Sequence, residues 1–567
     1  MDMGERTLDL VFLWHMHQPD YRDCTSGEFR RPWVYLHALK DYTDMAAHLE
    51  RHPKMRAVVN FVPVLLEQID DYVEQFHTGA FRDPLLRWLL REDLSTLDLA
   101  ERRQIVADCF PVNHARMVAP FPAFDHLHAM YQAASVHGDG ALAYFSADYF
   151  SDLLTWFHLA WSGETERRTR PLLSELMGKA RGFTSDDRAR LAALIGDVVS
   201  GLLPRYRALA ERGQIELSCT PHTHPIAPLL LDFASAREAV PDVTLPREPA
   251  YPGGRVRVQA QIDSAKEIHA RHFGRPPGGL WPGEGALSEA FLRLLPDAGF
   301  GWSASSETVL ANSLRASGQA TLSRSEYLYR SYRADAAPAV ALFFRDEPLS
   351  DLIGFEYANW DGRDAATDFL SKLAVVRKQV PAGDTGLVSV MLDGENAWEF
   401  YPYNGYFFLD ALYGLIETQS WLRTTTFSDH IDSSGQRPRD LSRLVAGSWV
   451  YGTFSTWLGA AQKNRAWDLL CQAKQNFDRF VATPGVDQNR VARAQAQLGV
   501  CESSDWFWWL GEDDTRPGVL SFDELYRSNL SELYRLLDLP PPPSLRQPLA
   551  QDNSWDPGAG SMRRASG

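Results

Sequence analysis

Several things are scarce in this 567-residue sequence, and each scarcity closes off a class of function. Its five cysteines, Cys24, Cys109, Cys219, Cys471 and Cys501, are scattered, odd in number and free of C-x-x-C spacing. Neither a disulfide framework nor a thiolate zinc site organises such a chain, and a reducing compartment suits it. No Lys/Arg run interrupts a formal net charge of -16. Phosphate binding needs a concentrated basic surface, so no nucleic-acid partner is expected. There is no stretch of 18 or more apolar residues, hence no expected membrane span. The start lacks a basic segment followed by an apolar one, so a cytoplasmic location is expected. What is present is ordinary for a globular enzyme: 45% hydrophobic and 23% charged residues. The length calls for two or three packed units.

A repeated order of helix, glycine or polar turn, short apolar strand and polar loop predicts an α/β fold built on a parallel barrel. Residues 184–211 form an amphipathic helix with Leu191, Leu194, Ile195, Val198, Leu202 and Leu209 on one stripe. Gly213 stops it before a strand at 215–219. A helix near 262–273 leads into 279–281, and one at 365–379 leads into a strand at 387–392. A short helix is expected at 286–295. Residues from about 70 to 210 are too long for one connection and predict a helical insertion. After Tyr401 helical patterns dominate to about 540, with a capping-box start at Ser521 and Glu524. Prolines 540–543 end that part, and 541–567 read as a disordered tail. The barrel is thus expected within 1–400 and a helical domain within 401–540.

Four polar constellations stand where strands hand over to loops, the end of a parallel barrel at which sites are built. His15, His17, Gln18 and Pro19 close the strand 8–14, and alternation puts both histidines on one face, opposite Trp14 and Met16. His222 and His224 follow the strand 215–219. Four imidazoles could complete a zinc site, or could hydrogen-bond sugar hydroxyls; the second requires less coincidence, because a hydrolytic zinc site usually keeps a water position and a nearby carboxylate base. Trp281-Pro282-Gly283-Glu284-Gly285 presents a carboxylate on a glycine-flanked turn beside an indole. A glutamate there could equally serve the start of the following helix. Asp393-Gly394-Glu395-Asn396, with Trp398 and Tyr401 behind it, lacks the regular spacing of a calcium loop. Two carboxylates from separate strand ends, Glu284 and Asp393, among Trp and His, suit glycoside cleavage: one attacks the anomeric carbon and the other shuttles the proton.

In their order these motifs resemble glycoside hydrolase family 57: His17-Gln18-Pro19, Gly213 to Pro225 with its Glu216 and His224-Pro225, Trp281 to Glu284, and Asp393 to Glu395. A fifth region falls where Trp457 and Trp467 flank Lys463-Asn464. The resemblance implies an incomplete (β/α)7 barrel followed by a helical domain, retaining chemistry on an α-glucan polysaccharide or maltooligosaccharide, and no cofactor or metal. It implies Glu284 as nucleophile, Asp393 as general acid/base, and His15, His17, Trp281 and Glu395 as sugar-site residues. Within the family the motifs, with the late Asp505-Trp506-Phe507-Trp508-Trp509, are more similar to amylases and amylopullulanases than to branching enzymes or glucanotransferases.

Other candidates for substrate contact are Gln18, His222, His224, Trp398 and Trp457. Trp506 is either core or a stacking platform, and Arg345 with Asp351 is either a substrate contact or an ion pair. The retaining geometry sets an expected carboxyl separation of about 5 to 5.5 Å. Repulsion at that range predicts that Asp393 keeps its proton near neutral pH while Glu284 is ionised. A 4-α-glucanotransferase on the same scaffold, a zinc-dependent deacetylase or mannosidase, and a non-catalytic glucan-binding protein are the competing readings.

Overall fold

The computed structural model describes residues 7–381, 385–433, 435–510 and 519–549. Ten strands form one sheet: β1 (Thr7–Met16), β2 (Ala57–Phe61), β3 (Ile215–Cys219), β4 (Gly279–Leu280), β5 (Trp302–Ser306), β6 (Tyr332–Ala334), β7 (Ala341–Arg345), β8 (Thr385–Asp393), β9 (Leu422–Thr424) and β10 (Arg439–Leu441). The order is β10-β6-β7-β5-β4-β3-β2-β1-β8, with β9 added to β1. The run from β8 through β1, β2, β3, β4 and β5 to β7 is parallel, and β6 joins β7 antiparallel. Among the described residues β7 and β8 share no ladder. The chain crosses there through Asp346 N–H donating to Ser389 O (2.7 Å) and Arg345 Nε donating to Met391 O (2.8 Å). The fold is therefore a mostly parallel α/β sheet that does not close as a barrel.

Alternation along β1 divides the core. Leu8, Leu10, Phe12, Trp14 and Met16 face outward into the large cluster shared with the helices. Val11 and Leu13 face inward, packing with Val58, Trp281, Trp302, Ala304, Phe343, Leu387, Met391 and Phe427. This plug fills the middle of the interior, and the same inward parity turns polar at the two ends of β1, at Asp9 and at His15. His15 and Asp393 continue it, as register partners on β1 and β8.

Between β2 and β3 the chain is helical, from Pro63–Thr78 to Ser185–Glu211. Three of its helices start on side-chain caps of particular strength: Asp83 accepts from Leu85 N and Leu86 N, while Asp98 with Glu101 and Thr184 with Asp187 form capping boxes. The helix anticipated at 286–295 is only one turn, Glu289–Leu292, because Ala286 and Leu287 are taken up by the turn after Glu284 and by a bridge from Leu287 to Gly447.

The sheet does not end near residue 400: β9 and β10 lie beyond it, so the helical part begins later, with Ala461–Val481, Gln488–Cys501 and Val519–Leu536. The last helix is already formed at Val519, so Ser521 does not begin it; the Ser521 side chain lies outside the described residues. Residues 541–549 pack against the body, with Leu545 and Leu549 buried and Leu549 N–H donating to Asp523 (3.1 Å). The rest of the anticipated tail, 550–567, lies outside the described residues. Among the described residues no helix is long and apolar enough to cross a membrane.

Candidate active site

A cavity of about 300 Å³ opens at the carboxyl ends of the strands. Its wall includes His15, His17, Gln18, His224, Glu284, Arg345, Asp393, Glu395, Trp449 and Asp505, with Trp33, Trp508, Trp509 and Phe522 supplying aromatic surface. Two segments remote in sequence, the loop carrying Trp449 and the short helix Asp505–Trp508, thus complete a site begun by the strands.

Glu284 sits in left-handed backbone, φ 57° and ψ 26°, a conformation that costs a side chain about 1 to 2 kcal/mol. The neighbouring chain enforces it. A Cβ on Gly283 would lie 2.5 Å from Pro225 O, and Trp449 N–H donates to Glu284 O at 3.0 Å. The carboxylate is held at both oxygens: Trp449 Nε1 donates to Oε2 (3.0 Å) and Ser504 Oγ lies 3.1 Å from Oε1. Burial pushes its pKa up to about 8, assisted by the charges of Asp505 and Asp393 and opposed by the Trp449 and Ser504 hydrogen bonds.

Asp393 ends β8 and accepts a hydrogen bond from Asn396 Nδ2 (2.8 Å). Burial raises its pKa as well, against the Asn396 contact and the His17 and Arg345 charges. The repulsion expected from the sequence puts a high value on Asp393 alone. It rises on both carboxyls because both are buried, and Asp505, a third negative group, adds to each. Asp505 is itself buried, which would raise it, yet the charge and hydrogen bonds of His17 (2.9 and 3.1 Å) and the Ser503 hydroxyl (2.6 Å) hold it below its usual value.

His15 lies between Asn60 (Nδ1 to Oδ1, 2.7 Å) and His224 (Nε2 to Nε2, 3.1 Å), and His224 Nδ1 meets Ser504 Oγ at 2.8 Å. Burial drives His15 down to about 3 and His224 well below its ordinary range, so both rings are neutral. Ligating atoms of His17, His224 and Asp505 lie within 4.8 Å of one another. His17 is engaged with Asp505, and both ring nitrogens of His224 have protein partners, so a cation there would have to break the His17–Asp505 contact and one of the two His224 contacts.

Glu395 accepts from His17 N–H (3.3 Å) and Gln18 Nε2 (3.4 Å), and burial raises it well above the ordinary carboxylate range. Arg345 faces the cavity, ion-paired to Asp351 (2.9 Å) and lying over the Trp449 ring. Other sequence candidates stand back from the cavity wall. His222 is bound to Glu67 (2.9 Å) and Ser264 (3.0 Å), because β3 stops at Cys219 and the chain then turns, so that alternation no longer pairs it with His224. Trp281 belongs to the inner core beneath Trp449. Trp398 donates to Gly394 O (2.9 Å) within the core, Trp457 is fully buried, and Asp351 acts through Arg345. Trp506 packs near Tyr526 and donates to Val500 O (2.6 Å), leaving Trp508 and Trp509 as the cluster's cavity-facing rings.

The sequence model of glycosyl hydrolase family 57 matches residues 11–444, which takes in His15 through Asp393 and most of the sheet. The chain belongs to this family. Members of family 57 are glycoside hydrolases and transglycosylases acting on α-glucans, and this chain is such an enzyme. Among solved structures, a family 57 branching enzyme from Thermococcus kodakaraensis is similar at a TM-score of 0.57 and 16% identity, covering 94% of this chain and 90% of that one. A branching enzyme from Pyrococcus horikoshii gives 0.56 and 16%, covering 98% and 100%. The α-amylase AmyC from Thermotoga maritima gives 0.56 and 14%, covering 94% and 93%. These similarities establish a shared fold. No curated protein matches the sequence.

Proposed function

We propose that this family 57 enzyme cleaves α-glucosidic bonds with retention, Glu284 acting as nucleophile and Asp393 as general acid/base. The observation that carries this reading is the arrival of both carboxyls in one aromatic-walled cavity from two different strand ends. A glucosyl unit lying between them presents its anomeric carbon to Glu284 and its glycosidic oxygen to Asp393. The Glu284 carboxylate forms a bond to that carbon as the carbon–oxygen bond breaks, and the leaving oxygen takes the Asp393 proton. Asp393, now a carboxylate, then removes a proton from the incoming hydroxyl, which displaces Glu284.

His17, Gln18, Arg345 and Glu395 supply donors and acceptors at the wall for sugar hydroxyls, and Trp508 and Trp509 supply ring faces. Their polarity favours a neutral, hydroxyl-rich ligand over the zinc-dependent reading, since the imidazoles are already committed to protein partners. Water as acceptor gives an amylase; a sugar hydroxyl gives a transferase, and the enclosed aromatic wall serves either.

Incubation with maltooligosaccharides, amylose and pullulan, followed by product sizing and determination of anomeric configuration, tests the proposal. New reducing ends with retained configuration are expected. Inverted products would remove Glu284 or Asp393 from its role. Asp393→Asn is expected to lose most activity on glucans and far less on activated aryl glycosides, whose leaving groups need little protonation. Equal losses on both would refute the acid assignment.

A further inference from the structure

Beyond the two reacting carboxyls, one continuous string of hydrogen bonds runs from Glu284 into the sheet. Glu284 Oε1 meets Ser504 Oγ (3.1 Å), Ser504 Oγ meets His224 Nδ1 (2.8 Å), His224 Nε2 meets His15 Nε2 (3.1 Å) and His15 Nδ1 meets Asn60 Oδ1 (2.7 Å). Asn60 ends the string between two hydroxyls, Ser218 and Thr220, each at 3.0 Å. Ser504, His224, His15 and Asn60 are buried, so their polar atoms have each other and not bulk water as partners, while the Glu284 carboxyl faces the cavity.

A neutral imidazole carries one hydrogen, and so does a hydroxyl. The direction of one link therefore fixes the direction of the next. Asn60 offers its carbonyl oxygen, so His15 carries its hydrogen on Nδ1 and accepts at Nε2. His224 must then donate from Nε2 and accept at Nδ1, and the acceptable donor there is the Ser504 hydroxyl. Ser504 has then spent its only hydrogen, and its contact with Glu284 is satisfied only if the carboxyl donates. In this direction the string belongs to protonated Glu284.

Ionised Glu284 needs the opposite polarity. Ser504 donates to it, His224 donates to Ser504 from Nδ1, His15 donates to His224 from Nε2, and Asn60 turns its amide to donate to His15 Nδ1. Ser218 and Thr220 accommodate either orientation, because a hydroxyl donates or accepts. Between the two states the net loss is the single Glu284 proton, released to the cavity; Ser504, His224 and His15 hold one hydrogen each in both, and each ring changes nitrogen by exchange with water during local opening, so both rings stay neutral at either end.

We propose that Ser504, His224, His15 and Asn60 form a reversible polar string whose direction is locked to the charge on Glu284, making them positioning residues for the nucleophile. The inference rests on the retaining reading for its catalytic meaning, but not for its structure. By reorganising into the donating direction, the string favours the nucleophile's anion without placing a cation beside it. A cation there would repel the developing positive charge at the sugar and compete with it for the carboxylate. The other groups facing Glu284 are Trp449, a fixed donor, and the carboxyls of Asp505 and Asp393; His17 and Arg345 face those acids in turn.

The test is ¹⁵N NMR of the full chain with labelled histidine, with His15 and His224 assigned by substitution, as pH is raised through the Glu284 titration. Both rings are expected to stay neutral and exchange tautomers together, His15 from Nδ1–H to Nε2–H and His224 from Nε2–H to Nδ1–H. In Ser504→Ala they should no longer follow Glu284, and the acid limb of kcat/KM should rise by about one pH unit, the worth of one hydrogen bond to a charged group. Ser504→Thr should restore both. Tautomers that stay fixed in the parent, or that still follow Glu284 in Ser504→Ala, overturn the proposal. The NMR readout needs no substrate: following tautomers in a protein inert on α-glucans would sink the functional reading and leave the string intact.

Discussion

The two ends of the sheet each bury carboxylate on inward-facing positions, and treat it in opposite ways. At the amino end Asp9 lies on β1, six residues before His15 and with the same parity. Burial alone would raise its pKa, but hydrogen bonds from His430 (2.8 Å) and Arg423 (2.7 and 2.8 Å), with the Arg423 charge, bring it below the ordinary value. At the carboxyl end Glu284 meets only neutral donors and two further acids, and its pKa goes up to about 8. Burial is common to both; the presence of a cation is the difference. One end spends its charge on holding β9 and the following helix Phe427–Ser433 to β1, and the other keeps an unneutralised carboxyl available for chemistry.

Exchanging each acid for its amide should separate the two roles most strongly. Glu284→Gln is expected to lower kcat/KM on amylose by at least about 10³-fold, because an amide cannot form the glycosyl ester. Asp9→Asn should leave kcat/KM within about threefold and cost about 2 kcal/mol of stability. That is a modest figure for a broken buried pair because Arg423 is half exposed and returns to water. Denaturant unfolding alongside initial rates reads both. An Asp9→Asn protein that is stable but inactive would show that the two ends are not functionally distinct.

The next effect is a pair of opposite pH slopes. A folded pKa below the unfolded one gives Asp9 a stabilisation that is present above about pH 4 and lost as pH falls through the folded value. Glu284 has a folded value near 8. Below about pH 4.5 it is protonated in both states and contributes nothing. Between there and pH 8 the unfolded chain ionises first, and folding stability is progressively lost. Glu284→Gln should therefore be more stable than the parent at pH 8.5, with the advantage vanishing by pH 4.5, whereas the Asp9→Asn deficit should persist to pH 4.5 and shrink only below it. Parallel slopes in the two variants would contradict the assigned environments.

Sequence carried the strand-borne half of this contrast and missed the loop-borne half. Alternation in β1 located His15 correctly relative to Trp14, because a strand that packs helices on one side and a plug on the other must show a period of two. The turn glycines around Glu284 and the acidic end of β8 were visible for similar reasons. β5, Trp-Ser-Ala-Ser-Ser, is buried throughout yet reads as a polar segment, since its serines satisfy themselves on backbone such as Leu280 O and Gly285 O. β4 is two residues long and leaves no periodicity to detect. Trp449 and Ser504 reach Glu284, Asp505 reaches His17 and Asn60 reaches His15 only through tertiary packing. Asp505 was hidden in plain view beside Trp506, where a run of aromatics drew attention to the rings and away from the acid.

The smallest expected effect isolates the neutral donors that stand at Glu284 where Asp9 has a cation. Trp449→Phe keeps a ring against Trp281, whose centroid lies 5.2 Å from that of Trp449, and under the Arg345 guanidinium, while deleting the Nε1–H that donates to Glu284 Oε2. A hydrogen bond to an anion is worth about 1.5 kcal/mol, or about one pH unit, and loss of a donor penalises only the ionised form. The acid limb of kcat/KM should accordingly move up from about 8 by up to about one unit, with the rate above the limb falling by less than about tenfold. Stability should respond only at the upper end of the range: little change at pH 4.5, where Glu284 is protonated with or without the indole, and a further loss at pH 8.5, where the anion has one donor fewer. A limb that stays in place while the rate falls would mean that Trp449 serves the sugar and not the carboxylate, and the contrast with Asp9 would then rest on burial and the neighbouring acids alone.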